Sequence, residues 1–513
     1  MAEPTALSPR TTNRGPKTAP ALFSRPDADI ILSSSDNTHF RVHRQILSIA
    51  SPFFETMLGL PQSTTSASGT PPLIAVEEDA RTLEDLLRIC YPVRDPQLKI
   101  HVLTDWQHIS NVVHAAMKYD MVQAIEFVKT KLTAGVDVSP LQVFCIACKH
   151  GFESVARNVA VKLTAPNAAL NTQVIRGVYV SQLEDIPAAC YYRLMQAGKS
   201  RMPCVDNIVF CGQGDANRCL TVYQEPCAGY RVRDDDGANH GKHTLRSADN
   251  VYYSVSQDTF SLFQRAHPVS NIYDSNESGS AVLTLPEDSG TVELLLQLGT
   301  RDMNDHAFIA SGLRAAAKYK TTTAHAALTT RWLELSNKSP LPSYLIASAY
   351  GLKEEAIKSA RQLLSWRSEQ LREAYIPVME EVSAGHYFRL LQYHGRCADA
   401  ADSAVRKSWT KAFVGDMPRH CTGGRCGRGI GATQSRWADT CYTRLKALHD
   451  LPRKAVAEDA TLVGELCFQV GSCSSCAECI SHADIIRFLT TFSKANEEVL
   501  MLVDTNILFR NQG

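Results

Sequence analysis

The chain has 513 residues, too many for one hydrophobic core, and its 44% apolar content is that of a soluble globular protein. Its 53 basic and 53 acidic side chains cancel, so no net charge draws it to nucleic acid or to an anionic membrane surface. No uninterrupted apolar run is long enough to span a bilayer, and the first residues lack the apolar stretch of a secretory signal.

With no route to an oxidising compartment in view, the 16 cysteines read as thiols, small core residues or metal ligands, and the expected location is cytosolic or nuclear. Residues 1–26 are rich in Pro, Thr, Ser and Ala, a composition that predicts a disordered N-terminus. Order is expected from Asp29: Asp29 to Leu32 reads as a strand, Asp36-Asn37 as a turn and Phe40 to Val42 as the returning strand of a hairpin. A helix with Ile46, Leu47 and Ala50 on one face follows. Ser51-Pro52 then restarts it, with Ser51 as cap and Pro52 in the first helical position, and Phe53, Phe54, Met57 and Leu58 as the apolar stripe.

Gln62 to Pro72 is a polar loop, Leu73 to Val76 a short strand, and Ala80 to Cys90 a helix burying Leu83, Leu86, Leu87 and Ile89. Helices are predicted over about 106–118 and 121–132, then a further helical set over about 139–197 opened by Ser139-Pro140. Residues 201–241, with their glycines, cysteines and acidic run Asp234 to Asp236, read as a linker.

Beyond that linker the chain repeats itself. Ala115-Ala116-Met117-Lys118-Tyr119 recurs as Ala315-Ala316-Ala317-Lys318-Tyr319, and Ser139-Pro140-Leu141, Ile146-Ala147 and Gly151 recur at the same spacing as Ser339-Pro340-Leu341, Ile346-Ala347 and Gly351. Leu245 to Asn250 echoes Leu32 to Asn37, Tyr253 and Val255 stand where Phe40 and Val42 stood, and Glu287-Asp288 matches Glu78-Asp79. The repeat preserves apolar positions and helix punctuation, while charged and nucleophilic residues change freely. It therefore preserves packing rather than a reaction.

The run from Asp27 to Gln62 resembles the opening of a BTB/POZ domain, through Asp29, Phe40-Arg41-Val42-His43, Leu47 and Ser51-Pro52-Phe53-Phe54; its style, including Leu60-Pro61-Gln62, is that of the fungal BTB families. The resemblance implies an α+β, predominantly α-helical chain: two BTB/POZ-like units, each a small sheet with packed helices, each followed by a helical extension, and a helical C-terminal segment. The expected divisions are 27–132 for the BTB/POZ domain and 133–200 for its extension, 201–241 for the linker, 242–332 for a degenerate BTB-like domain, 333–397 for its extension and 398–513 for a Cys-rich helical segment. It also implies protein partners met through a surface that includes Asp29, His43, Phe53 and Phe54. The second copy departs from the pattern, with Ser256 in place of His43 and His267-Pro268 in place of Ser51-Pro52.

Catalytic constellations are weak. His43 has no nucleophile at a telling distance, Cys145 and Cys148 sit mid-helix among apolar residues, and the glycine-rich run at Gly423 to Gly431 lacks the Lys-Ser or Lys-Thr ending of a phosphate loop. Cys473, Cys476, Cys479 and His482 have the ligand chemistry of a structural zinc site. On a straight helix, however, steps of three drift about 60° each, so the four groups cannot converge on one ion without a bend or a second arm. No cofactor is otherwise expected. The reading is a non-enzymatic interaction protein that forms a homodimer or an intramolecular pseudo-dimer, or recruits other proteins. The alternative is a substrate adaptor of a cullin-type ubiquitin ligase, and after it a transcriptional regulator with no DNA-binding module of its own.

Overall fold

The computed structural model describes residues 17–60, 71–96, 98, 105–164, 179–199, 208–211, 232–234, 243–266, 281–297, 303–415, 443, 445, 452, 460–471 and 481–509. The described chain is mostly helical with two small sheets, an α+β architecture. It divides into two compact units, residues 1–175 with 200–211 and residues 176–199 with 212–513.

The first unit contains a sheet of β1 (Lys17–Thr18), β2 (Ile30–Ser33), β3 (Thr38–Val42) and β4 (Leu73–Ala75) in the order β1-β3-β2-β4. β2 and β3 form the expected antiparallel hairpin, with Leu32 opposite Phe40. Its turn places Asn37 at φ 61°, a left-handed conformation that Asn tolerates. The Asp36 carboxylate accepts the Ser34 hydroxyl at 2.7 Å and the Ala80 amide at 2.9 Å, so the turn also fixes the start of the helix beyond β4.

Residues 17–26 differ from the expected disorder. β1 pairs in parallel with β3, and Phe23 is fully buried against the rings of Phe40 and Tyr91. Local composition misses this because the pairing is to a strand some twenty residues on and runs through backbone groups.

α1 (Arg44–Ala50) and α2 (Pro52–Gly59) are joined as the sequence predicts: Ser51 accepts the Phe54 amide at 3.1 Å, with Pro52 at the first helical position. The Ser51 hydroxyl also donates to the Tyr119 carbonyl. α3 (Ala80–Cys90) buries Leu83, Leu86 and Leu87, while Thr82 rather than Ile89 takes the fourth buried position. α4 (Trp106–Lys118), α5 (Val122–Ala134), α6 (Pro140–Lys149) and α7 (Glu153–Thr164) follow in this unit. Pro140 opens α6 as expected, but the Ser139 side chain makes no capping bond. Within the expected linker, the Phe210 and Cys211 amides donate to the Glu153 carboxylate, and the Phe210 ring lies edge-on to Phe144.

The second unit includes α8 (Ala188–Lys199) and a sheet of β5 (Val232–Asp234), β6 (His243–Arg246), β7 (Tyr252–Val255) and β8 (Ala281–Thr284), ordered β5-β7-β6-β8. Its hairpin turns at Asn250, φ 62°, and Asp249 accepts the Ser289 amide at 2.7 Å, as Asp36 accepts that of Ala80. Leu245 lies opposite Tyr253 as Leu32 lies opposite Phe40. After α9 (Gln257–Gln264) and α10 (Ser289–Leu296) come α11 (His306–Tyr319), α12 (Thr322–Lys338), α13 (Pro340–Ala349) and α14 (Lys353–Leu363). α15 (Ser368–Glu373) leads to the long α16 (Ala384–Gly415).

The repeated sequence letters have structural causes. Lys118 reaches Glu77 and Glu78 while the Tyr119 hydroxyl donates to Glu78; likewise Lys318 and Tyr319 both meet Glu287. Burial, with the adjoining carboxylate, pushes both tyrosine hydroxyls above their ordinary range, so they stay donors. Gly151 and Gly351 sit at φ 71° and 73°, ending α6 and α13 with Phe152 and Leu352 amides returning to the Ala147 and Ala347 carbonyls at 2.8 Å.

Of the segment after 398, α17 (Ala460–Gly471) and α18 (His482–Leu502) are described, and α18 packs on α16. The turn Thr505–Leu508 that follows buries Leu508 against α14 and α16.

Candidate interaction site

Sequence reasoning placed Asp29, His43, Phe53 and Phe54 on a common surface. All four lie around α1 and α2, but their roles differ. Asp29 is exposed and its carboxylate accepts the Arg44 amide at 2.8 Å, satisfying an otherwise unpaired donor at the start of α1. His43 is the residue preceding that helix. Its amide donates to the Tyr91 hydroxyl at 2.8 Å, and its Nδ1 lies 3.2 Å from the same oxygen. Its Nε2 stands 3.7 Å from Asp27, whose carboxyl is held below the usual carboxylate range chiefly by a hydrogen bond from Arg25. The Tyr91 hydroxyl on one side and the Asp27 carboxylate on the other hold the two ring nitrogens in place. That arrangement orients the ring and gives it no nucleophile to activate.

Phe53 is 44% exposed, whereas Phe54 is only 2% exposed. Consecutive helical residues point about 100° apart, and Phe54 shares the inner face with Leu58 four positions on. Phe54 therefore belongs to the core, stacked 4.9 Å from the Tyr119 ring, and is removed from the predicted surface. Ile49, on the opposite side of α1 from the buried Leu47, is 86% exposed, and Leu60 is exposed just after α2. Ile49 and Phe53 are the large apolar residues exposed on α1 and α2, and no sequence argument singles out Ile49. The signal was available: Ile46, Leu47 and Ala50 define an inner stripe, and Ile49 is an apolar residue left off it.

The proposed zinc ligands Cys473, Cys476 and Cys479 lie outside the described residues. His482 is exposed in the first turn of α18, whose start is capped reciprocally by Ser481 and Asp484. Among the described residues no group of His, Cys, Asp and Glu is placed to hold a metal ion. Cys145 and Cys148 are buried in α6, as small core side chains are.

A buried polar network in the second unit went unread in the sequence. Ser348 Oγ lies 2.6 Å from His386 Nδ1, the Arg389 guanidinium approaches the same nitrogen at 3.0 Å, and Arg389 pairs with Glu184. Serine, histidine and carboxylate together invite a hydrolase reading, but the geometry refuses it. Burial, reinforced by the Arg389 charge, pushes the imidazole down to about 4, so it is a neutral acceptor serving two donors. The buried Ser348 hydroxyl therefore donates to a nitrogen already engaged by Arg389. Burial alone would raise Glu184; Arg389 first, then Ser383 and Tyr179, hold it below the ordinary range as a carboxylate. The network is a structural joint.

The geometry of the first unit is thus an orderly hairpin-and-helix domain with apolar side chains left in solvent on two helices. Neither the curated proteins nor the solved structures offer a match to the chain. The family models do: residues 22–135 match the BTB/POZ domain. This chain carries, over residues 22–135, a BTB/POZ domain, a module of protein–protein interaction.

Proposed function

We propose that the chain is a non-enzymatic interaction protein of the cytosol or nucleus, whose BTB/POZ domain serves self-association or the recruitment of partner proteins. The observation that carries this reading is the solvent exposure of Ile49 and Phe53 on α1 and α2 of that domain. Apolar side chains of this size, left in solvent on successive helices of an interaction domain, are what a partner protein can cover. The second unit is read as a diverged copy of the same fold. Supporting this are the shared strand order, the paired Asp36 and Asp249 turns, and the matching contacts of Tyr119 and Tyr319.

The test is an Ile49→Asp/Phe53→Asp double variant of the full chain. Both side chains are substantially exposed, so the fold should hold by circular dichroism while association is lost. Association that survives both charges sinks this assignment of the surface. The second reading, an adaptor for a cullin-type ligase, rests on the fact that such adaptors carry BTB domains. A pull-down with cullin scaffolds separates the two, and absence of binding at micromolar concentrations counts against the adaptor. A transcriptional regulator would need a partner that reads DNA, since no net positive charge equips this chain for it.

A further inference from the structure

Two segments of the second unit, residues 179–196 and 375–392, match each other at a constant spacing of 196, distinct from the spacing of 200 that relates Ala115 to Ala315. Tyr179, Glu184, Ala188, Tyr191, Arg193, Leu194 and Gln196 correspond to Tyr375, Glu380, Ala384, Tyr387, Arg389, Leu390 and Gln392. Each segment reads as a tyrosine, a turn carrying a glutamate, and a helix start carrying tyrosine and arginine.

The matched residues meet reciprocally. Arg193 pairs with Glu380, and Arg389 pairs with Glu184. The Ala188 amide donates to the Val382 carbonyl at 2.8 Å, and the Ala384 amide donates to that of Ile186, also at 2.8 Å. Tyr179 donates to Glu184 and Tyr375 to Glu380, while Tyr179 packs on Phe388 and Tyr375 on Tyr192. Self-matched positions face each other: Pro187 forms an antiparallel bridge with Ser383, and Tyr191 meets Tyr387 edge to face at 6.4 Å. Residue i touching j while the counterpart of j touches the counterpart of i is the signature of a two-fold, isologous interface.

We propose that these segments form a homotypic clasp, in which the partner each one recognises is a copy of its own motif, supplied here by the same chain. The inference stands whether or not the BTB/POZ surface has an outside partner, because none of its contacts uses that surface. The recognition is chemical and specific. Each glutamate is presented by its own tyrosine hydroxyl to the arginine of the other copy, and the two backbone bonds set the register between them.

The copies have since diverged on one side. Ser383 and Gly385 stand where the other segment has Pro187 and Ala189, and Ser383 donates to Glu184 at 2.8 Å. A Cβ on Gly385 would come within 2.1 Å of the Glu184 carboxylate. Arg389 additionally reaches the Leu508 carbonyl at 3.2 Å. The Glu184–Arg389 side of the clasp is correspondingly the more buried one, and it anchors the C-terminal turn.

The experiment uses the full chain and reads hydrogen exchange at the amides of residues 188 and 384, whose bonds exist only when the clasp is closed. Reversing one copy alone, Glu184→Arg with Arg193→Glu, sets like charges opposite each other at both ends and should speed exchange at both amides by about a hundredfold or more. Reversing the second copy as well, with Glu380→Arg and Arg389→Glu, should restore at least tenfold of that protection. A graft replacing residues 179–196 with the sequence of 375–392 should keep both amides within about tenfold of the wild type. Loss of protection in the graft, in a chain where the four-residue reversal does restore it, overturns homotypic recognition. Failure of the reversal to restore anything overturns the cross-pairing itself.

Discussion

The Arg389 side chain is 7% exposed and its partner Glu184 16%, while the equivalent Arg193 and Glu380 are 24% and 30% exposed. Replacing Arg389 by methionine keeps most of the volume and removes the charge. Glu184 is then a buried carboxylate with only the Ser383 and Tyr179 hydroxyls for company, and the Leu508 carbonyl loses its donor. Stranding one member of a buried ion pair costs about 3–5 kcal/mol. Arg193→Met strands Glu380 where water and Tyr375 still reach it, and a partly exposed pair is worth about 1 kcal/mol or less. Adding Glu184→Gln to Arg389→Met should return most of the larger loss, because no charge then remains buried. Because the chain has two units and need not melt in one step, the assay is native-state hydrogen exchange at the clasp amides, which reports local opening directly. Equal costs for Arg389→Met and Arg193→Met, or no recovery in the double variant, would refute the reasoning.

Three further outcomes are expected. Tyr319→Phe removes one of the two donors to Glu287 and should cost about 1–2 kcal/mol by native-state hydrogen exchange of its unit, with Tyr119→Phe costing a similar amount through Glu78. Gly351→Ala should cost about 1–2 kcal/mol although a Cβ there meets nothing within 4 Å, because the strain is in the left-handed backbone; Gly351→Asn should cost less. Burial pushes the His150 and His386 imidazoles down to about 4, so folding favours their neutral forms while the unfolded chain takes up protons near 6.5. Their contribution is complete above pH 6.5 and is lost as pH falls toward 4, and melting temperatures should drop across that window. His150→Gln and His386→Gln should each flatten the drop.

What the sequence revealed is what local chemistry governs. Asp36-Asn37 and Asp249-Asn250 announce their turns because a left-handed asparagine and a capping aspartate are short-range requirements. Ser51-Pro52 and Gly351 announce helix ends for the same reason. Long-range pairing was hidden. β1 is two residues whose partner lies in β3, and Phe23 gives no sign of being covered by Tyr91. The segment 179–196 was legible as part of a helical set, but its contacts with 375–392 cross nearly two hundred residues, and the change of spacing from 200 to 196 masked the match. Phe53 and Phe54 are neighbours in the sequence, but a helix sends adjacent residues to different faces, so only Phe53 stays exposed. The Cys473, Cys476, Cys479 and His482 cluster remains a proposal about metal. Elemental analysis of the purified chain decides it: one zinc per chain supports the site, and a zinc-free chain removes it.

The most direct test of the central claim is light scattering on the full chain over a range of concentrations, run beside the Ile49→Asp/Phe53→Asp variant. An interaction protein that self-associates through its BTB/POZ domain should rise above the single-chain mass, and the variant should stay at that mass with its secondary structure intact. A wild-type mass that never departs from one chain, or a variant that assembles as the wild type does, would contradict self-association through this surface.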